Sequence, residues 1–275
     1  MGFQGGKQMG KWIRRFVVVV LLGIFLYSVT TIAIIMYQYK VSDELYESTA
    51  SQFTVTHASA EGEGTGTEGE APAQDTAEIA PISVDFAGLQ AVNGDVCGWI
   101  YCEDTPINYP VVHGEDNDFY LMHNYDGTDS ASGSIFMEAD NRPGFADSNT
   151  IIYGHHMKNG SMFATLDKWA EQEYYEGHSV MWLLTPEQDY KIVLFSGYTT
   201  SANSDTYMIF DGACGELDDY LAKCKGQSDF DAEVELEGDA RYVLLSTCAY
   251  VFDNARYVLH GKLVPADSAG GRPLR

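Results

Sequence analysis

The chain has 275 residues, of which 45% are hydrophobic, and a formal net charge of −24 at pH 7. This length and apolar content are enough to bury one good core or two small ones. The charge argues against a nucleic-acid-binding protein, because such an acidic chain has too few cations to neutralise phosphates.

A basic N-terminal end precedes a long apolar stretch. Residues Phe16 to Tyr37 carry no charged side chain, and a helix of this length, at about 1.5 Å per residue, crosses a hydrocarbon core of about 30 Å. Four basic residues lie in 1–15, and only Lys40 follows the stretch closely. The positive-inside rule therefore predicts a cytoplasmic segment 1–15, a transmembrane signal anchor 16–37 and an extracellular remainder. A cleaved signal peptide is the alternative, but its apolar region is usually about 7–15 residues long.

Residues 38–81 are expected to form a juxtamembrane segment followed by a flexible spacer. Val41 to Ser51 can extend a helix away from the membrane. From about Ala58 to Ala80 the sequence is acidic, rich in glycine and almost free of large apolar side chains. Such a segment cannot bury enough surface to offset the entropy of ordering it. We expect it to hold the following domain off the bilayer.

Short strand-like runs dominate residues 82–265, which we expect to be one globular domain with a disordered tail at 266–275. Turns rich in glycine and aspartate separate the runs, a pattern typical of an all-β barrel or sandwich. The runs are Cys97–Tyr101, Ile107–Val112, Gly133–Met137, Asn149–Tyr153, Ser179–Leu184, Tyr190–Thr199, Tyr242–Cys248 and Arg256–Val264.

Three short helices are also predicted. Phe86–Val92 has apolar residues at helical spacing, and Ser161–Trp169 begins with a serine suited to an N-cap. Glu216–Cys224 carries apolar residues at i, i+3, i+4 and i+7, which predicts one buried face that includes Cys224 itself.

The run that ends in Cys248 is followed, eight positions later, by Arg256. Two strands joined by a short loop would hold this thiol at the end of one strand and the cation at the start of the next. A nearby cation favours the thiolate and stabilises developing negative charge, so the pair suggests a nucleophile with an oxyanion or substrate clamp. The alternative is a cysteine that serves only as a small buried hydrophobe.

A cysteine nucleophile usually needs a histidine close in space. His155 and His156 follow a predicted strand that ends in Gly154, and glycine permits another backbone to approach closely. Adjacent residues of an extended chain point in opposite directions, so only one of the two faces a given site. They cannot easily share one ion, and no second histidine or cysteine stands at zinc-ligand spacing, so no metal is expected.

The other four cysteines leave the redox state open. In an extracytoplasmic domain, pairing within Cys97 and Cys102 and within Cys214 and Cys224 is one possibility. Reduced, buried thiols are the other, and the sequence alone does not decide between them.

Several sequence blocks resemble the sortases, and specifically the class B sortases. The similarity covers about Phe86 to Val264, and Leu244 stands where the family's Thr-Leu-X-Thr-Cys motif usually begins with threonine. The blocks are Asn149–Phe163, Leu245–Cys248 with Arg256, Gly98–Ile100, Ile107–Val112, Asp116–Leu121 and Gly133–Met137.

This resemblance implies a mainly β fold: a closed sortase-type barrel of about eight strands with short peripheral helices, behind one transmembrane helix. It implies that Cys248 is the nucleophile and that His155, which directly follows the glycine, is the general acid and base. Arg256 would align the substrate and stabilise the oxyanion. The substrate-binding residues implied are Asn117, Leu121 and Ser246, for which turn, capping or core roles remain alternatives.

The implied reaction is transpeptidation without a cofactor. The enzyme would cleave a C-terminal sorting signal of secreted proteins, an NPXTN-like or related pentapeptide, at the threonine carbonyl. A Cys248 thioester would then transfer the acyl group to an amine of the lipid-linked peptidoglycan precursor. A pilus-polymerising enzyme that uses a pilin lysine is the alternative, followed by a cysteine hydrolase or a non-catalytic surface-binding module. The implied location is the cell membrane, with an extracellular catalytic domain.

Overall fold

A computed structural model describes residues 5–57 and 79–267, and residues 79–267 form a mainly β domain. Two short strands, β1 (Thr54–Thr56) and β2 (Ile82–Val84), pair with each other, and eight further strands close into a barrel. The barrel strands are β3 (Val96–Tyr101), β4 (Asn108–Val112), β5 (Ile135–Met137), β6 (Asn149–Tyr153), β7 (Val180–Leu184), β8 (Asp189–Ser201), β9 (Arg241–Cys248) and β10 (Ala255–Ala266).

The strands follow the order β10-β8-β7-β3-β4-β5-β6-β9 around the barrel, and β9 pairs back onto β10. Two neighbouring pairs, β4 with β5 and β6 with β9, are parallel, and the other pairs are antiparallel. Each of the eight predicted runs lies on one barrel strand. The closed eight-stranded barrel is therefore confirmed.

Two clusters of buried side chains lie on opposite faces of the barrel wall. Strand β9 shows the division, because Val243 and Leu245 belong to the larger cluster and Tyr242 and Leu244 to the smaller one. This alternation is the expected consequence of side chains that point to opposite faces of a strand at successive positions. A strand buried on both faces is held firmly in register, which fixes the position of whatever side chain it carries at its end.

The helices lie outside the barrel. Helix α2 begins after Asp85, whose side chain accepts a hydrogen bond of 3.0 Å from Gly88 N, and the apolar face of α4 is buried as predicted. The α-helices are α1 (Gly5–Phe53), α2 (Phe86–Val92), α3 (Gln172–Gly177) and α4 (Gly215–Gly226), and the 3-10 helices are Phe119–Leu121, Pro143–Phe145 and Leu166–Ala170.

The helix predicted over residues 161–169 is wrong. The Ser161 hydroxyl donates to the Asn159 side chain at 2.8 Å, and Met162 has a φ of 59°, which no residue inside a right-handed helix adopts. A local side-chain turn therefore replaces the expected N-cap. Regular structure begins only at Leu166, as a 3-10 helix, and α3 follows without having been predicted.

Helix α1 contains an apolar stretch long enough to cross a membrane, and it continues without a break to Phe53. Its last three turns pack against the barrel domain, where Tyr46 and Phe53 are buried. The Ser42 hydroxyl donates to the side chain of Asn124 at 3.0 Å. The end of α1 is therefore part of the folded domain.

Strands β1 and β2 are antiparallel, and His57 N donates to Pro81 O at 2.8 Å. The acidic segment between them, predicted as a flexible spacer, lies outside the described residues at 58–78. His57 and Pro81, on either side of this segment, are hydrogen-bonded to each other, so α1 stays next to the domain. The structure thus differs from the expected domain start at 82, because residues 42–57 already pack on the barrel.

The C-terminal boundary also shifts slightly. Strand β10 reaches Ala266, one residue into the expected tail, and Asp267 forms a bridge with Ile79. The rest of the expected tail, residues 268–275, lies outside the described part of the chain.

Replacement of Phe53 by alanine tests the packing of α1 on the domain. Because Phe53 is 7% exposed, the lost burial and the residual cavity should reduce the free energy of unfolding by about 3 kcal/mol. Val55→Ala is the matched control on the same segment; its side chain is 62% exposed, so a change within about 0.5 kcal/mol is expected. Urea denaturation measures both, and equal values would contradict the packing.

Candidate active site

The register of three neighbouring strands brings the predicted site residues to one rim of the barrel. Strand β9 runs parallel to β6, with Ser246 opposite Tyr153, and antiparallel to β10, with Cys248 opposite Arg256. Parallel strands end on the same side of a sheet, and an antiparallel neighbour begins there. The end of β6, which leads into His155, therefore lies beside the thiol and the guanidinium.

A cavity of about 360 Å³ opens at this rim. All six residues singled out from the sequence line it: His155, Cys248, Arg256, Asn117, Leu121 and Ser246. His156 is not among the lining residues; its ring contacts Tyr250 edge-on at a centroid distance of 5.3 Å. The expectation that only one of the two adjacent histidines faces the site thus agrees with the geometry.

The imidazole of His155 is oriented by the backbone. Its Nε2 lies 2.8 Å from the carbonyl oxygen of Leu121. A carbonyl only accepts hydrogen bonds, so this contact assigns a proton to Nε2 and leaves Nδ1 as the nitrogen that can exchange one. Leu121 therefore contributes its carbonyl as well as its place on the cavity wall.

Two glycines make room for this arrangement. A Cβ on Gly154 would lie 2.5 Å from Ile135 Cδ1 and 2.7 Å from Phe163 Cδ2. Gly133 has a φ of +57°, and a Cβ there would lie 2.7 Å from Leu121 O and 3.0 Å from His155 Cδ2. The atoms that approach Gly154 belong to core side chains, and not to the backbone that was expected to approach there.

Cys248 is half-buried at the end of β9, with Arg256 half-buried directly across the ladder. The guanidinium donates to Ala255 O at 3.0 Å. Among residues 5–57 and 79–267 it forms no ion pair with a carboxylate, so its charge is not neutralised locally. A half-buried cation without a counterion can attract an anion that forms in the cavity.

Two tyrosines on the cavity wall were not identified from the sequence. Burial raises the pKa of Tyr207, whose hydroxyl lies 2.9 Å from Ser246 Oγ, and its ring stacks on Tyr153 at a centroid distance of 6.2 Å. Tyr153 ends β6 two positions before His155, and period-two alternation along an extended chain would place the two side chains on one face. Tyr207 lies in an irregular segment, and no sequence pattern marks it.

A carboxylate connects two residues of the cavity wall. Glu138 accepts hydrogen bonds from the Asn117 side-chain amide and from the Tyr153 hydroxyl, the latter at 2.7 Å. Asn117 Oδ1 in turn accepts from Ala139 N at 2.9 Å. Both hydrogen-bonding ends of the Asn117 amide are thus held, which fixes how this side chain faces the cavity.

All five cysteines are free thiols in the structure. Burial raises the pKa of Cys97 and of Cys102 to about 12, so these side chains are neutral and unreactive at physiological pH. Burial also raises the pKa of Cys224, as expected of a core residue. Within the described residues, no group of three or more His, Cys, Asp and Glu side chains could hold a metal ion.

Comparison with known proteins decides the family. The sortase domain model matches residues 100–264. Sortase B of Listeria monocytogenes is 34% identical over 249 residues, which cover 89% of this chain and 94% of that protein. The chain belongs to the class B sortases. It is accordingly a cysteine transpeptidase that acts on proteins bearing a sorting signal.

Solved class B sortases share the fold. Sortase B of Bacillus anthracis in complex with AAEK1 is 31% identical with a TM-score of 0.68, and the match covers 84% of this chain and all of that one. A Staphylococcus aureus sortase B–substrate complex is 29% identical with a TM-score of 0.62, covering 66% of this chain and 85% of that one.

Substitution of Gly154 by alanine tests the close contact behind His155. The new methyl group would overlap Ile135 and Phe163, so the free energy of unfolding should fall by roughly 1–3 kcal/mol. Gly177→Ala is the control, since a Cβ there meets no atom within 4 Å. Thermal or urea denaturation measures both variants, and an unchanged stability of Gly154→Ala would show that the site tolerates a side chain.

Proposed function

We propose that this class B sortase uses Cys248, His155 and Arg256 to cleave an NPXTN-like or related pentapeptide sorting signal between the threonine and the following residue. The observation that carries the proposal is that one cavity at the barrel rim is lined by all three side chains. A soft nucleophile, a proton carrier and an unneutralised cation are the groups that acyl transfer through a thioester requires.

In the first half-reaction the Cys248 thiolate attacks the threonine carbonyl carbon, and the carbonyl electrons move onto oxygen. Arg256 faces the thiol across the β9–β10 ladder and is suited to stabilise this oxyanion. The tetrahedral intermediate then collapses, and its C–N bond breaks. His155 gives the proton on Nδ1 to the leaving amine, while Nε2 stays bonded to Leu121 O. The product is a thioester on Cys248.

In the second half-reaction an amine attacks the thioester. Neutral His155 accepts a proton from the incoming nitrogen at Nδ1, a new amide bond forms, and the thiolate of Cys248 leaves. We propose the lipid-linked peptidoglycan precursor as the amine donor. This acceptor agrees with the N-terminal apolar helix, which we propose to be a single-pass anchor with its basic end in the cytoplasm and the barrel outside.

The substrate groove extends from the thiol toward Asn117 and Leu121. We propose that the fixed Asn117 amide and the Ser246 hydroxyl bind polar groups of the sorting signal, and that Leu121 contacts its apolar side chains. Asn117 is held by Glu138 and by Ala139 N, and Ser246 by Tyr207, so neither needs to be ordered when the peptide binds.

A labelled sorting peptide offered with and without an amine acceptor tests the reaction. We expect cleavage with transfer of the label to the amine, and a Cys248 thioester detectable by mass spectrometry. Cys248→Ala should form neither the thioester nor the product. Cys214→Ala, at an exposed cysteine away from the cavity, should keep wild-type activity. Hydrolysis without transfer to any peptidoglycan or pilin amine would favour a cysteine hydrolase.

The neighbouring histidines provide a matched test of the proton carrier. His155→Ala should reduce kcat by roughly 10²- to 10⁴-fold, because general acid–base catalysis contributes about that much. His156→Ala should leave kcat close to wild type, since His156 does not line the cavity. Steady-state kinetics on the sorting peptide measure both. A large loss in His156→Ala together with an active His155→Ala would exchange the two roles.

A further inference from the structure

Helix α1 contacts both chain segments that adjoin His155. One is the loop between Leu121 and β5, to which Ser42 binds through Asn124. The other is the turn after His155, where Asn159 donates to Asp43 at 2.8 Å. The helix that carries the apolar anchor is therefore in direct contact with the surroundings of the imidazole.

Tyr46 makes the central contact of this interface. It is 4% exposed, its hydroxyl donates to Gly133 O at 2.8 Å, and it lies 3.2 Å from Ser134 Oγ. Its ring meets Tyr109 edge-on at 5.4 Å, and the Tyr109 hydroxyl accepts from Met162 N at 3.0 Å. Through one side chain, α1 thus reaches the loop before β5 and, by way of Tyr109, the turn that follows His155.

Gly133 connects the hydrogen bond of Tyr46 with the imidazole of His155. The position of a Cβ on Gly133 lies 3.0 Å from His155 Cδ2 and 2.7 Å from the carbonyl oxygen of Leu121. That carbonyl is the acceptor for His155 Nε2 at 2.8 Å. Gly133 Cα is one bond from that position, so Gly133 is an immediate neighbour both of the ring and of the carbonyl that orients it. The Tyr46 hydroxyl binds the carbonyl of the same residue.

We propose that Tyr46 is a positioning residue for His155: its hydrogen bond to Gly133 keeps the Leu121 carbonyl and the imidazole in the geometry that directs Nδ1 toward the substrate. The inference rests on the proposed role of His155. It makes the end of the anchor helix a component of the catalytic scaffold, although α1 contributes no residue to the cavity lining.

If Tyr46 positions His155, loss of its hydroxyl should impair proton delivery and leave the other steps unchanged. Loss of the hydroxyl frees the Gly133 carbonyl and weakens the contact that holds Leu121 O and the ring. Proton delivery to a leaving amine then suffers, whereas attack by the Cys248 thiolate and binding of the peptide do not depend on this hydrogen bond. An amide substrate needs that proton, and an activated ester of the same peptide does not, because its leaving group departs as a stable anion.

The experiment measures single-turnover acylation of Cys248 in the full-length protein, with a sorting peptide and with its activated ester analogue. For Tyr46→Phe, which keeps the ring, we expect acylation by the amide to fall about fivefold, the consequence of losing a hydrogen bond of ordinary strength. Acylation by the ester and the peptide concentration that gives half-maximal acylation should stay within about 1.5-fold of wild type, since neither depends on proton delivery.

Tyr242→Phe is the matched control. Tyr242 is 1% exposed, and its hydroxyl also donates to a backbone carbonyl, Glu237 O, at 2.8 Å, but at the start of β9 and away from the cavity. This variant should match wild type with both substrates. Thermal denaturation of both variants shows whether their losses of stability are similar.

Two results would overturn the inference. Wild-type amide acylation by Tyr46→Phe would show that the hydroxyl has no part in catalysis. Equal losses with amide and ester would show that Tyr46 only maintains the shape of the domain. A wild-type protein that acylates with neither substrate would instead refute the proposed function, so the two failures are distinguishable.

Discussion

The site depends on the position of β9 between a parallel and an antiparallel neighbour. The parallel pairing with β6 brings two strand ends to one rim, and the antiparallel pairing with β10 starts the third strand there. Because β9 is buried on both faces, a shift by one residue would exchange its two sets of apolar side chains and lose both clusters. The burial of the β9 side chains in these two clusters therefore fixes the relative positions of the thiol, the imidazole and the guanidinium.

The electrostatics of the cavity contrast with those of the whole chain. The protein has a net charge of −24, yet within the described residues Arg256 faces the thiol without a carboxylate partner. Glu138 accepts hydrogen bonds from the Asn117 amide and the Tyr153 hydroxyl, two residues that line the cavity. Pairing with Glu138 would stabilise the guanidinium in the resting state and weaken its response to a new negative charge. The cation thus remains without a carboxylate partner among the described residues of an acidic protein.

Much of the architecture was predictable because its signals are local. The eight strands follow from short apolar runs and the turns between them, and the pairing of Cys248 with Arg256 follows from a strand, a short loop and a strand. The helix predicted at Ser161 failed because an Asn159 side chain competes for the groups that an N-cap would use. Propensity and spacing alone do not show which of two local hydrogen-bonding patterns is formed.

The contacts that could not be predicted join residues far apart in the chain. Tyr207 meets Ser246 across 39 positions, and Tyr46 meets Gly133 across 87. The packing of residues 42–57 on the barrel was not predicted for the same reason, since these residues look like a linker until their partners on the barrel are known. Composition describes a segment correctly but does not show what it packs against.

The pairing of β1 with β2 has a consequence for how the chain tolerates change in length. Residues 58–78 lie between His57 and Ile79, and His57 N donates to Pro81 O. Insertions or deletions within them alter the entropy of closing a loop, which grows only as the logarithm of its length. They leave unchanged the distance between the apolar part of α1 and the catalytic rim. That distance is set by α1, which runs without a break from its apolar part to Phe53.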